Sequence, residues 1–357
     1  MGYRAFLAKS AILYATVLVA AVVILYVFTY PVIQKVYYDY AYYAALSLKT
    51  KLLRESHGSA NITYINDVVN RYYNQLISAF GLNKPPLERF AIQMAQLFTF
   101  HFGVTPPGVS YPSYAPTNNI ATLIAVALPR TILLFTTGTV IVVAVGILLG
   151  VLAARYQGSA YDRAIPVIAV IHSSLPTWWI GFLLIAGLAY GLHWFPPNGM
   201  VSPGIVFSRE PLQYVASLLD HMVLPLLAFF IVNIGGFAYI VRSLALATTK
   251  EDFVLTAKAR GLPERRIVFG HILKTASPSI ATQAILWLAF SFGGGLTTEI
   301  VFVWPGLGLL TYEAVMESDE RTVLAITFVL TLVLVIALFL NEVVKGWLDP
   351  RIRASAE

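Results

Sequence analysis

The residues able to do chemistry are few, and their spacing is unhelpful to a catalyst. The six histidines are His57, His101, His172, His193, His221 and His271. No two of them stand at metal-ligand spacing, and there is no His-Glu-x-x-His. Each is therefore expected to be a satisfied or interfacial histidine. No Gly-x-x-x-x-Gly-Lys-Ser/Thr run is present to cradle a nucleotide phosphate. Gly293-Gly294-Gly295 lacks the following lysine and ends an apolar stretch, so close helix packing or a flexible joint suits it better. With 0 cysteines, disulfides, Cys-ligated zinc, iron–sulfur clusters and thiol chemistry are excluded. No nucleophile–base–acid arrangement can be assembled. The chain is expected not to be an enzyme, and to hold no metal and no cofactor of its own.

Composition explains this poverty. Of 357 residues, 58% are hydrophobic and 12% charged, with mean hydropathy +0.72. Soluble domains carry about 25% charged residues. The 24 basic residues are scattered rather than massed on one face, which leaves no nucleic-acid footprint. The composition points to a polytopic membrane protein.

An apolar helix needs about 20 residues to cross a bilayer. Six segments qualify, at about 11–33, 122–154, 165–192, 222–240, 278–296 and 322–344. The first has Arg4 and Lys9 ahead of it, but its apolar core is too long for a signal peptide and no small-x-small site closes it, so it reads as an uncleaved anchor. Placing the N-terminus in the cytoplasm puts Arg155, Arg163, Arg242, Lys250, Lys258, Arg260, Arg265, Arg266 and Lys274 inside. The short outer loops then hold only Arg209 and Arg321, beside Glu210, Asp220, Glu299, Glu313, Glu317, Asp319 and Glu320. That is the positive-inside asymmetry, with both termini cytoplasmic.

The expected organisation is a first span (1–33), an outer segment (34–119), a core of five spans (120–349) and a short cytoplasmic tail (350–357). Within the outer segment, apolar residues recur at helical spacing over 41–54 and 65–80, whereas 102–116 is rich in Pro, Gly, Ser and Tyr and reads as loop. Asn61-Ile62-Thr63 is a glycosylation triplet, or a chance triplet within a helical cap on the outer surface.

The most informative stretch lies between the fourth and fifth spans. Thr249 followed by Asp252 resembles a capping box, and Lys258 and Arg260 fall where the helix dipole favours cations. Gly261 supplies a left-handed stop, and Pro263 opens the next helix at its first position. The short helix between them is too small to be stable alone. It is expected to expose Phe253 and Val254, and so to dock into a partner's groove or to lie on lipid headgroups.

Asp252-Phe253-Val254-Leu255-Thr256-Ala257-Lys258-Ala259-Arg260-Gly261-Leu262 resembles the EAA loop of ABC-transporter permease subunits, in the dipeptide/oligopeptide branch. Phe253 stands where the branch has Tyr, and Leu255-Thr256-Ala257 replaces the general Glu-Ala-Ala. A second stretch, Glu299 to Gly308 with Phe302, Trp304, Pro305 and Gly306, resembles the family's Trp-Pro-Gly-Leu-Gly outer loop. Asp349-Pro350-Arg351 resembles its C-terminal Asp-Pro-Arg. Residues 36–79 match nothing in the pattern.

The resemblance implies an all-α, six-helix type I importer permease with a helical insertion outside the membrane. It implies that the 252–261 helix couples to ATPase subunits and that the 299–308 loop faces a binding protein. The implied partners are two ATPases, which carry the ATP and magnesium, a second homologous permease forming a heterodimer, an extracellular binding protein and membrane lipid. Peptides are the expected cargo, with oligosaccharides as the alternative. An ATP-independent carrier or channel is the other class, but intramembrane ionisable groups are too sparse to favour it. Pathway candidates are Asn233, Gln283, Ser291 and Thr297, with Ser173, Ser174 and Asn341; each could instead be glue between helices.

Overall fold

The computed structural model describes residues 3–56, 61–106, 108–291 and 294–348. The Asp349-Pro350-Arg351 end and Gly293 lie outside the described residues. The described chain is helical, with one isolated bridge, Val104 to Asn119, closing the loop ahead of the second long helix. In order the helices are α1 (Tyr3–Glu55), α2 (Ile62–Ala79), α3 (Pro86–Phe98), α4 (Ile120–Arg155), α5 (Ala160–Ser173), α6 (Thr177–Leu184), α7 (Pro211–Thr248), α8 (Asp252–Ala259), α9 (Glu264–Arg266), α10 (Leu273–Ser291), α11 (Leu296–Val301), α12 (Leu307–Met316) and α13 (Glu320–Leu348).

Among the described residues four helices are long and apolar enough to cross a membrane alone: α1, α4, α7 and α13. The other expected spans are corrected in detail. The third is a broken pair, α5 and α6, bent by 89°. Pro176 caps α6 and has no N–H to continue α5, and it biases the residue before it away from helix. The fifth, α10, starts before Pro278 and grows out of a π-helical turn, Ile267–Ile272. Lys274, Ser277, Thr282 and Gln283 keep it less apolar than its neighbours. The fourth extends over the whole of α7, with Pro211 in its first turn and Pro225 inside.

The first span does not stop at residue 33. α1 runs unbroken for 53 residues, so the helix expected at 41–54 is its continuation. At 1.5 Å per residue that is about 80 Å, roughly twice the depth of a bilayer with its headgroups. Pro31 is its one proline, and no glycine interrupts it. α2 folds back along its far half, and α3 meets Tyr26 and Tyr30 near its middle. Asn61 caps α2, its Oδ1 accepting from the Tyr64 N–H at 3.1 Å. Residues 102–106 and 108–116 are loop as expected, and Phe102, Tyr111 and Tyr114 are buried in one apolar cluster with α1, α4, α12 and α13.

The largest interface joins α4 to α7, and three glycines make it close. A Cβ on Gly138 or Gly146 would meet the rings of Phe229 and Phe237, at 2.8 and 2.7 Å. A Cβ on Gly150 would meet backbone instead, 2.6 Å from the Ala238 carbonyl and 2.8 Å from the Arg242 nitrogen. Rings can turn, whereas a helix backbone cannot move without separating the pair. Gly150→Val is expected to destabilise the protein by about 3 kcal/mol or more, at the top of the overpacking range. Gly146→Ala, by the same logic, costs less. Thermal melting of the detergent-solubilised chain reads both, and equal melting temperatures would contradict the close crossing.

Candidate functional site

The two stretches singled out from the sequence lie at opposite ends of the helix bundle. At one end α7 stops at Thr248, the chain turns, and α8 lies across the ends of α4 and α7. The expected Thr249–Asp252 capping pair is not formed. Thr249 Oγ1 donates back to the Leu246 carbonyl at 2.7 Å, and Glu251 is the N-cap, without a side-chain cap. Thr249 is still the C-cap of α7, so its hydroxyl is taken by that helix. The stop at the other end is as expected. Gly261 has φ +71°, its N–H donates to Lys258 O at 2.9 Å, and Leu262 N–H donates to Ala257 O at 3.3 Å. These two bonds are a Schellman motif, which satisfies the last carbonyls. Pro263 is the N-cap of α9, one position earlier than expected.

α8 is anchored by one face. Val254 is fully buried and Ala257 nearly so, three residues apart. They pack in a cluster with Val151 and Ala154 of α4, Val241 and Ala245 of α7, and Ile267 and Val268 of the π-helical turn. Val254 is thus an internal anchor, which corrects its expected exposure. Phe253 is 36% exposed and Leu255 61%. Asp252, Thr256, Lys258, Ala259, Arg260 and Gly261 are also exposed. The outer face of α8 therefore offers two apolar side chains within a rim of charge. Behind it, Arg242 of α7 pairs with buried Asp162 of α5, whose second oxygen accepts from Gly158 N–H at 2.8 Å. This pair ties the broken third span to the end of α7.

At the opposite end, residues 296–310 form a knot around Glu299, which is wholly buried. Glu299 Oε1 accepts from the Thr131 hydroxyl at 2.7 Å, and Oε2 from the N–H groups of Gly308 at 2.6 Å and Leu309 at 3.1 Å. The Thr131 oxygen in turn accepts from Leu307 N–H at 2.7 Å. The first turn of α12 is thereby held on a side chain of α4 through one carboxylate. Trp304 Nε1 donates to the Arg130 carbonyl at 3.0 Å, and Arg130 reaches the carbonyls of Ser113 and Pro305 at 3.2 and 3.3 Å. Gly306 must be glycine, because a Cβ there would strike Glu299 Oε1 and Thr131 Oγ1. Gly294 and Gly295 leave room for Thr131 and Phe135 in the same way, at 2.6 and 2.8 Å. Burial pushes the Glu299 carboxyl up to about 7, against the pull of its three donors.

This corrects the expected surface roles of several residues. Glu299, Phe302 and Trp304 point into the protein, none more than 1% exposed. Phe302 packs with Ile180 of α6 and Leu224 and Ala228 of α7. They shape the loop from beneath, and Leu296 and Val303 are the large apolar side chains that residues 296–310 expose. The pathway candidates are not brought together by any hydrogen bond between them among the described residues. Asn233 Nδ2 donates to Phe229 O at 2.7 Å in its own helix. Ser291 donates to Leu288 O at 2.7 Å and lies 3.4 Å from Thr136 Oγ1. Gln283 is half-buried and Thr297 exposed. Among the described residues no three His, Asp or Glu side chains group as a metal site.

Thr131, Arg130, Asp162 and Gly150 were not singled out from the sequence. Gly146-x-x-x-Gly150 is a close-packing signature that could have exposed the last. The other three depend on partners 80 to 176 positions away, which no local pattern encodes.

The chain is 27% identical over 278 residues to the Bacillus subtilis oligopeptide transport system permease protein AppB, covering 78% of this chain and 84% of that protein. It is 30% identical to the Agrobacterium fabrum peptidoglycan transport system permease protein YejB, covering 78% and 75%. It is 28% identical to the Escherichia coli O157:H7 inner membrane ABC transporter permease protein YejB, covering 84% and 83%. Among solved structures, the inward-facing MetNI methionine ABC transporter superposes with TM-score 0.50 at 15% identity, covering 63% of this chain and 96% of that one, which speaks to fold alone. Residues 146–354 match the binding-protein-dependent transport system inner membrane component family, a match that holds α8 and the Glu299 knot on one domain. The chain belongs to that family, and the relatives named above are transport permeases.

Proposed function

We propose that this chain is one of two transmembrane halves of an ATP-driven importer, and that α8 is its mechanical contact with an ATPase subunit. The supporting observation is the construction of α8: an exposed Phe253–Leu255 pair on a helix locked to α4 and α7 through Val254 and Ala257. A push on α8 moves a packed cluster, and with it the inner ends of the two most closely crossed helices. That is a switching contact and not a catalytic one. The α8 end is cytoplasmic, by the positive-inside bias of Lys258, Arg260, Arg265 and Arg266. The Glu299 knot and the 34–119 segment are then outside, where the loop's exposed surface meets a solute-binding protein.

Two ATPases bearing ATP and magnesium, and a second, homologous permease, complete the assembly. The cargo is peptide, in keeping with the names of the relatives. Gentle affinity purification of the chain from its own membranes tests this reading. Two P-loop ATPases, a second permease and a binding protein are expected to accompany it. A chain that emerges alone and moves solute in vesicles without ATP sinks the proposal.

A further inference from the structure

A cavity of about 380 Å³ lies between α1, α3 and the start of α13, away from both stretches described above. Its wall is an unusual mixture. Arg89 and Arg321 both line it, and neither forms an ion pair with a described residue. Each guanidinium lies over a tyrosine ring, Arg89 over Tyr30 at 5.3 Å and Arg321 over Tyr37 at 4.9 Å. Lys84 adds a third cation at the rim, and no acid lines the cavity; Glu88 pairs with Lys84 from outside it at 3.0 Å. Of the acids next to Arg321, Asp319 is taken by Thr322 and Tyr111, and Glu320 does not line the cavity.

Several donors in this wall lack a partner. Tyr26 and Tyr37 are at most 5% exposed, and their hydroxyls make no hydrogen bond. Arg89 Nε is buried and equally unpaired. With its amide oxygen turned inward, Gln34 accepts from both terminal nitrogens of Arg89, at 2.7 and 2.9 Å, which fixes the guanidinium in place. A buried unpaired donor costs about 1–3 kcal/mol, so a wall carrying three of them is poorly satisfied without an acceptor-rich guest. A carboxylate offers these donors two oxygens with about four lone-pair sites. A phosphate has more oxygens and suits planar guanidinium forks.

The level of the cavity selects among phosphates. α1 exposes Ile24, Val27 and Phe28 to its surroundings, and Tyr26 to Tyr37 begin at that same level. Eleven residues at 1.5 Å each carry the wall about 16 Å along the helix, across the exit from the apolar span. Tyrosines gather at that depth in membrane proteins. We propose that this cavity binds a phosphate-bearing anionic group, supplied by the headgroup of a phospholipid in the outer leaflet. α2, α3 and the long α1 would then be seated on the membrane surface by that headgroup.

Native mass spectrometry of the full chain, delipidated in detergent, tests the site. The probes are phosphatidylglycerol, diacylglycerol with the same chains, and glycerol 1-phosphate. The wild-type chain is expected to retain one phosphatidylglycerol, and the Arg89→Gln/Arg321→Gln double variant to retain it about tenfold less. Diacylglycerol should not discriminate between them. If only millimolar glycerol 1-phosphate separates the two, by a shift in melting temperature, the phosphate chemistry stands and the source is a soluble anion. Equal retention of phosphatidylglycerol by both, with no shift from glycerol 1-phosphate, overturns the proposal. Should the double variant not fold, Tyr37→Phe keeps the ring beneath Arg321 and removes only the hydroxyl. Retention is expected to drop several-fold there, and unchanged retention overturns the proposal equally.

Discussion

Phe253→Asp is expected to abolish ATP-driven uptake while the chain still inserts, folds and melts within a few degrees of the wild type. Phe253 is 36% exposed and its neighbour Val254 is fully buried, so the variant places a charge on the outer face of α8 and leaves its anchor intact. An aromatic at the centre of a docking face typically accounts for 2 kcal/mol or more of binding, and a carboxylate in its place must also be desolvated. A loss of that size weakens the ATPase contact about thirtyfold or more. Uptake into proteoliposomes and co-purification of the ATPase measure the two consequences. Val254→Asp is the contrasting variant: it buries a charge in the cluster between α4 and α7, and is expected to lower the melting temperature sharply. Normal uptake by the Phe253 variant would remove α8 from the coupling role.

Glu299→Ala is expected to be among the most destabilising single substitutions in the chain. It strands the Gly308 and Leu309 N–H groups and deprives the Thr131 hydroxyl of its acceptor, all within a buried knot. At about 1–3 kcal/mol for each of the three stranded donors, the loss is on the order of 3–9 kcal/mol. Glu299→Gln keeps an oxygen for the two N–H groups and an amide that can donate to Thr131, so it should cost far less.

The same pair of variants carries a pH signature. Burial raises the carboxyl from 4.5 to about 7, so the folded state holds its proton more tightly than the unfolded state does. This contribution to stability is complete below the unfolded value and is lost as pH rises through about 7. Wild-type protein should therefore melt at a lower temperature at pH 8 than at pH 5.5, and Glu299→Gln should lose that dependence. Parallel melting curves for the two proteins across this range would show that Glu299 is ionised throughout.

Much of α8 was legible because its signals are local. A glycine needing positive φ, a proline two residues later and cations in the last turn are read within a dozen positions, and the observed Schellman motif uses that glycine. The error at Thr249 has an equally local cause. Its hydroxyl had two backbone partners in reach, and the end of α7 took it. The exposure of Val254 could not be read locally, since which face of an eight-residue helix is covered depends on where α4 and α7 cross.

The outer loop shows the opposite balance. Its motif was recognisable, but a glutamate and a tryptophan in an outer loop read as surface residues. In the fold both are wholly buried in the knot, because Thr131 and Arg130 arrive from another helix with matching donors and acceptors.

The sequence by itself determined the solvent, the class and the family resemblance. Apolar runs, charge asymmetry and contiguous motifs are properties of neighbouring residues, and short-range physics reads them directly. The tertiary structure decided what the motif residues do. It turned Glu299 from a surface contact into the centre of a buried knot, bent the third span at Pro176, and extended α1 well past its apolar stretch. It also set Arg89 and Arg321 across one cavity, 232 positions apart in the chain. Such pairings are fixed by which helix surfaces can approach closely, and that is settled only when the whole bundle packs.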